Sequence, residues 1–160
     1  MRAVRTINDA ECKAEILARI GRVRPETARR WGKMTAGQMI CHLSDSFCSV
    51  MGERPMSIAP GFSLWRLTKG IALHAPMRWP KGVRTPAYLD QEMGGTPPAE
   101  FGADVSTLCA GIEKFTQQPR AFAFCPHPLF GAMTEREWMR WGYLHCDHHL
   151  RQFGIDAERV

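Results

Sequence analysis

Seven of the eleven prolines fall between residues 53 and 98, at positions 55, 60, 76, 80, 86, 97 and 98. Proline lacks a backbone N–H and clashes with the preceding helical turn, so long helices have to lie on either side of that stretch. Only "FSLWRLTKGIAL" (62–73) inside it keeps a helical pattern. Trp65, Leu67, Ile71 and Trp79 make the segment too apolar for disorder. The reading is a lid over one end of the domain, at the mouth of a pocket and partly buried. Arg66 and Lys69 form only a weak basic face, which argues against a helix lying on a membrane.

Helix start signals frame the rest. Asn8 with Glu11, Thr35 with Gln38, and Thr134 with Glu137 each read as a capping box, in which two side chains satisfy each other's free backbone donors. The first helix runs to about Ile20, with Ile16, Leu17 and Ile20 at helical spacing. The second ends near Gly52, and Gly154 stops the last. A further helix fills 99–118, with Val105, Leu108, Ile112 and Phe115 on one stripe. "RAFAFCPHPLF" (120–130) reads as an extended loop, because its prolines break a strand ladder. Four long helices and one long crossover predict an all-α four-helix bundle in a single domain spanning residues 1–160.

The last helix carries "GYLHCDHHLRQFG" (142–154), with three of the chain's six histidines in five positions. At 100° per residue, Glu137, Arg140, Asp147 and Arg151 share one arc, expected to face water. Trp138, Gly142, His145 and His149 lie opposite, with Gln152 at the margin and Leu144 as an exception. Gly142 is expected to leave room before His145, and His148 to sit at the rim. Two inward imidazoles a turn apart each need partners for both ring nitrogens, and a shared divalent metal satisfies one nitrogen of each. From this helix alone, a metal site and a pair of satisfied core histidines are equally acceptable.

A third ligand has to come from elsewhere. His42 shares a helix face with Gln38, Asp45, Ser46 and Ser49, which reads first as a solvent stripe. Yet no Lys or Arg occurs between Lys33 and Arg54, and Asp45 is the one formal charge before Glu53. Small uncharged residues suit the wall of an internal, wet cavity better than a water-facing surface.

The two stretches "WGKMTAGQMICHLSD" (31–45) and "HPLFGAMTEREWMRWGYLHCDHHLRQFG" (127–154) together resemble the DinB/YfiT-like superfamily. They most resemble a bacterial branch catalogued as a domain of unknown function. The resemblance implies a four-helix bundle with a long crossover between its second and third helices. It also implies a divalent metal held by His42, His145 and His149. Relatives of this kind include thiol-dependent transferases and isomerases and metal-dependent hydrolases. Where better-known relatives continue H-H-R-G-Q, this chain has Leu150, Arg151 and Gln152 after His149. The glutamine, a contact behind the ligands or to the substrate, thus falls one place later.

Three histidines leave coordination positions open, as in catalytic zinc sites. An all-nitrogen set suits zinc, nickel or iron and disfavours magnesium or calcium; zinc is the expectation by availability. Asp45, one turn past His42, is the expected orienting carboxylate or general base, and His127 is expected at the site mouth. Gln38, Ser49 and Gln152 are the expected polar contacts for a bound cofactor or substrate. Cys41 and Cys146 point away from the ligands beside them. The expected function is a metal-dependent enzyme, either a thiol-cofactor transferase or a hydrolase of small substrates. A low-molecular-weight thiol is a candidate partner. A metal-binding or stress-related protein without turnover is the alternative, and histidines with a purely structural role the third reading.

Composition narrows the surroundings. The net charge of +5 would permit a polyanion. However, the basic residues are scattered, and the one cluster (Arg22, Arg24, Arg29, Arg30) has no aromatic-basic motif, so no nucleic-acid partner is expected. The six cysteines include no C-x-x-C pair, and no apolar run or signal-peptide core occurs. That predicts reduced thiols, no membrane partner and a cytoplasmic protein, as monomer or homodimer.

Overall fold

The computed structural model describes residues 4–56, 63–75 and 77–157, with only the backbone given for 63–67. The side chains of Trp65 and Leu67 therefore lie outside the described residues. The described residues form five α-helices and no strand: α1 Ala10–Ile20, α2 Ala36–Val50, α3 Ser63–His74, α4 Phe101–Thr116 and α5 Glu135–Gln152. A 3-10 turn covers Ala87–Leu89, and none of these helices is long and apolar enough to cross a membrane.

Local chemistry explains the boundaries. Thr35 and Thr134 each accept from the backbone N–H three residues on, while Gln38 and Glu137 return the bond to the cap, so both capping boxes are closed. Gly154 follows α5 with φ +74°, the left-handed stop that glycine adopts without steric cost. The first helix starts differently from its expectation. Asp9, not Asn8, is the cap, and its carboxylate accepts from the N–H of Cys12. Aspartate one residue closer to the first helical turn takes the role expected of the asparagine.

α2 packs on α4 and α5, while α1 and α3 pack on α5. Phe47 of α2 sits at the junction, its ring 4.9 Å from Phe115 of α4 and 5.6 Å from Trp141 of α5. Such a fully buried aromatic contributes about 3–5 kcal/mol against truncation to alanine. Gly142 serves this core and not the cavity beside His145. A Cβ there would stand 3.0 Å from Ile7 and 3.2 Å from Phe115, so glycine lets α5 sink into the apolar interior.

The charged arc of α5 is covered where open water was expected. Glu137 pairs with Lys69 of α3 at 2.9 Å. Arg140 donates to the carbonyls of Leu73 and Arg5. Asp147 meets Arg151 and also Arg19 of α1, which is only 2% exposed. The charges on this face satisfy one another between helices, so α5 is flanked on its polar side as well. Ile71 is another departure: it is 60% exposed, whereas Leu73 of the same helix is fully buried. Turning α3 by two residues moves its apolar contact from the expected side chain to the next.

Candidate metal centre

α2 and α5 bring three imidazoles together. The ring centroids of His42, His145 and His149 stand 4.7 to 5.4 Å apart, and each ring offers a nitrogen within 4.8 Å of the other two. The spacing of His145 and His149 stacks them on one face of α5. His42 reaches them from α2, whose small-residue stripe of His42, Asp45, Ser46 and Ser49 is buried. The missing lysines and arginines of that stripe thus mark an enclosed wall. Burial holds all three rings below the usual imidazole pKa, and for His145 and His149 the neighbouring imidazoles push further the same way. The cluster is neutral at pH 7, the form in which imidazole binds metal.

Two of the rings are fixed from behind. The Nδ1 of His42 lies 3.0 Å from the carbonyl oxygen of Leu89, which can only accept, so Nδ1 carries the proton. The Nδ1 of His149 lies 2.9 Å from Oε1 of Gln152, whose Nε2 donates to the carbonyl of Trp31. Carbonyl and amide thus assign both tautomers and leave each Nε2 lone pair free. Gly32 makes this possible: its φ is +79°, and a Cβ there would fall 2.4 Å from Gln152 Nε2. Gln152 reaches His149 because α5 persists through it. The Nδ1 of His145 is buried with no hydrogen-bond partner. Imidazole nitrogen binds a divalent ion such as zinc at ~2.0–2.1 Å, and three such donors from two helices are the ligand type of such a site. The donors, their neutrality and the orphaned nitrogen all fit a divalent ion.

Asp45 has a different place from the one expected. Its carboxylate, only 3% exposed, accepts from Arg54 at 2.8 Å, Gln91 at 3.1 Å, and the backbone and hydroxyl of Thr96 at 2.7 Å each. Four donors leave no lone pair in the geometry of a general base. It lines a separate groove of about 320 Å³ beside α4. Asp45 ties residues 91–96 to α2, and the same segment carries Leu89 to the back of His42. The direct orienting partner of His42 is therefore a backbone carbonyl, which no sequence motif marks.

His127 is also committed elsewhere. Its Nδ1 accepts from the backbone N–H groups of Leu129 and Phe130, and burial pushes its pKa down to about 3. Its ring stacks on Phe130 at 4.6 Å, and the Trp141 ring contacts both His127 and His145. It organises the loop into α5 as a neutral acceptor. Gln38 spends its Oε1 on the cap of α2, whereas the Ser49 hydroxyl is buried without a partner. Cys41 and Cys146 are pushed up by burial, Cys41 to about 11, so neither is a thiolate.

His148, expected at the rim, is half-buried between Trp31 (5.9 Å) and Trp79 (6.1 Å). Burial lowers its pKa to about 4, and its Nδ1 has no partner. Trp79 also contacts His145 at 6.1 Å, so the proline-rich segment does reach the histidine cluster. The indole N–H of Trp79 donates to Ala72, which holds the ring in that position.

The chain matches the family model described as "Protein of unknown function (DUF1569)" over residues 9–155, and it belongs to that family. No curated protein and no solved structure matches it.

Proposed function

We propose that this chain is a metal-dependent enzyme of the DinB/YfiT-like kind. In this reading α1, α2, α4 and α5 form the four-helix bundle, and residues 53–98 are its crossover. His42, His145 and His149 hold the divalent ion, with zinc ahead of nickel or iron. The substrate is a small molecule, through transfer of a low-molecular-weight thiol or through hydrolysis. The observation that carries this reading is three neutral imidazoles from two helices converging within 4.8 Å, two of them with tautomers fixed by Leu89 and Gln152.

When bound, such an ion supplies Lewis acidity at an open coordination position. The chain's own residues do the rest. Leu89 and Gln152 hold the ligands at fixed orientation, Gly32 gives Gln152 its room, and Trp79 and Trp141 flank His145 and restrict water. His148, a neutral imidazole whose Nδ1 is buried without a partner, stands beside the cluster between Trp31 and Trp79 and adds to its enclosure.

One observation favours a metal-binding protein without turnover: the Asp45 carboxylate and the Nδ1 of His127, the expected acid–base groups, are engaged in structural hydrogen bonds. Metal analysis of untagged protein, followed by thiol-plus-electrophile and ester and amide panels, separates the readings. The enzyme reading expects stoichiometric metal in wild type, its loss in His145→Ala with helicity retained, and metal-dependent turnover. Stoichiometric metal with no turnover on any panel supports the second reading, and equal metal in wild type and His145→Ala overturns both.

A further inference from the structure

Near the histidine cluster, on the outer side of Trp31 and Trp79, lies a pocket of about 200 Å³ with an unusual charge. Its lining includes Arg30, Arg78, Lys81 and Arg151 against a single carboxylate, Asp156. Its two aromatic walls, Trp31 and Trp79, are the rings that enclose His148, and Trp79 also touches His145. Four cations in one small concavity repel one another, and pairing relieves only part of this. Arg30 pairs with Asp156 and Arg151 with Asp147, each at 2.8 Å. Lys81 rests over the Trp31 ring at 4.4 Å, and Arg78 has no partner among the described residues.

We propose that this pocket binds a small organic anion, a carboxylate or phosphate carried on a planar or apolar body. The anionic group neutralises Arg78 and Lys81, and the body lies against Trp31 and Trp79, pointing past His148 toward His145. Arg78 offers a planar fork suited to two oxygens of such a group, and Lys81 a mobile point charge. The volume lies below the ~300 Å³ at which drug-sized sites begin, so it fits a small acid or the charged end of a substrate and not a polymer. As the substrate class of the enzyme this rests on the function proposed above; as a binding site it stands alone.

The test is titration of the full-length chain with benzoate, phenyl phosphate and neutral benzamide at constant ionic strength, followed by tryptophan fluorescence. We expect one saturable site for at least one of the anions and weaker binding of benzamide. Arg78→Gln and Lys81→Gln should each weaken the anion about tenfold, the loss of one charge-assisted hydrogen bond. Asp156→Asn should bind more tightly, which a merely damaged fold would not do, and Arg22→Gln, outside the pocket lining, should behave as wild type. The same titration on His42→Ala separates the two proposals. Retained binding there assigns the anion to the pocket whatever the fate of the metal reading, whereas lost binding places it on the histidine centre and overturns the pocket. The proposal is also overturned by equal affinity for benzoate, phenyl phosphate and benzamide, or by an equal loss in Arg22→Gln. Tighter binding of a short oligothymidylate through the same arginine and lysine would likewise overturn it.

Discussion

Asp45 and His42 lie less than one turn apart on α2, both buried, and they differ in one respect. The carboxylate is saturated by four donors from Arg54, Gln91 and Thr96, whereas the imidazole has one nitrogen bonded and one turned toward two other histidines. Burying a polar group is tolerated when its hydrogen-bonding capacity is filled. A filled group is architecture. A cluster left open, as around His145, has the unfilled bonding capacity that a metal ion could use.

The strongest way to test that contrast is to empty the filled side. Asp45→Ala removes the acceptor shared by Arg54, Gln91 and Thr96, leaving Arg54 its bonds to Thr96 and Gly94, and should cost about 3 kcal/mol. Denaturant melts in the presence of chelator would measure it; a loss no larger than that of His42→Ala under the same conditions would erase the distinction.

Acid sharpens the comparison from the other side. Burial holds His148 near about 4 and His127 near about 3, well under the 6.5 of an unfolded histidine. Between those values the unfolded chain takes up protons that the folded chain refuses. Stability of the metal-free protein is therefore complete above 6.5 and falls as pH drops toward 4 and then 3. The denaturant midpoint between pH 6.5 and about 5.5, above the range in which ordinary carboxylates titrate, reports the histidines. A midpoint that rises on acidification would contradict their buried, neutral state.

Gly32 probes how the open side is supported. Gly32→Ala combines a positive φ with a 2.4 Å approach to Gln152. The displaced amide frees His149, and metal affinity should drop about 10–100-fold, as losses behind metal ligands do. Competition with a chromogenic chelator measures this. The smallest effect is expected at His148: His148→Ala should keep metal affinity near wild type, and a drop as large as that of Gly32→Ala would make it a ligand.

What was legible in the sequence follows the range of each interaction. The capping boxes at Thr35 and Thr134 are closed within four residues, so pattern alone places them. The pairing of His145 with His149 is also local, and the uncharged stripe of α2 betrays a buried wall. The fate of Asp45 was hidden because its partners Gln91 and Thr96 lie 46 and 51 residues away. The covered arc of α5 was hidden for the same reason, as Arg19 and Lys69 arrive from other helices. His127 looked like chemistry because a histidine between prolines in a loop gives no hint that two backbone amides occupy it. Leu89 carried no signal at all, since the contributing atom is main chain.

The central claim is that the three imidazoles form a site completed by a divalent ion in the folded state. The direct measurement is a pair of thermal melts of untagged wild type at pH 8, one with a slight excess of zinc and one with chelator, set beside the same pair for His42→Ala. Metal that binds only the folded chain raises the melting temperature by mass action. The account predicts a clear rise with zinc in wild type and coincident curves in His42→Ala. Coincident curves in wild type, or an equal rise in both proteins, would contradict it.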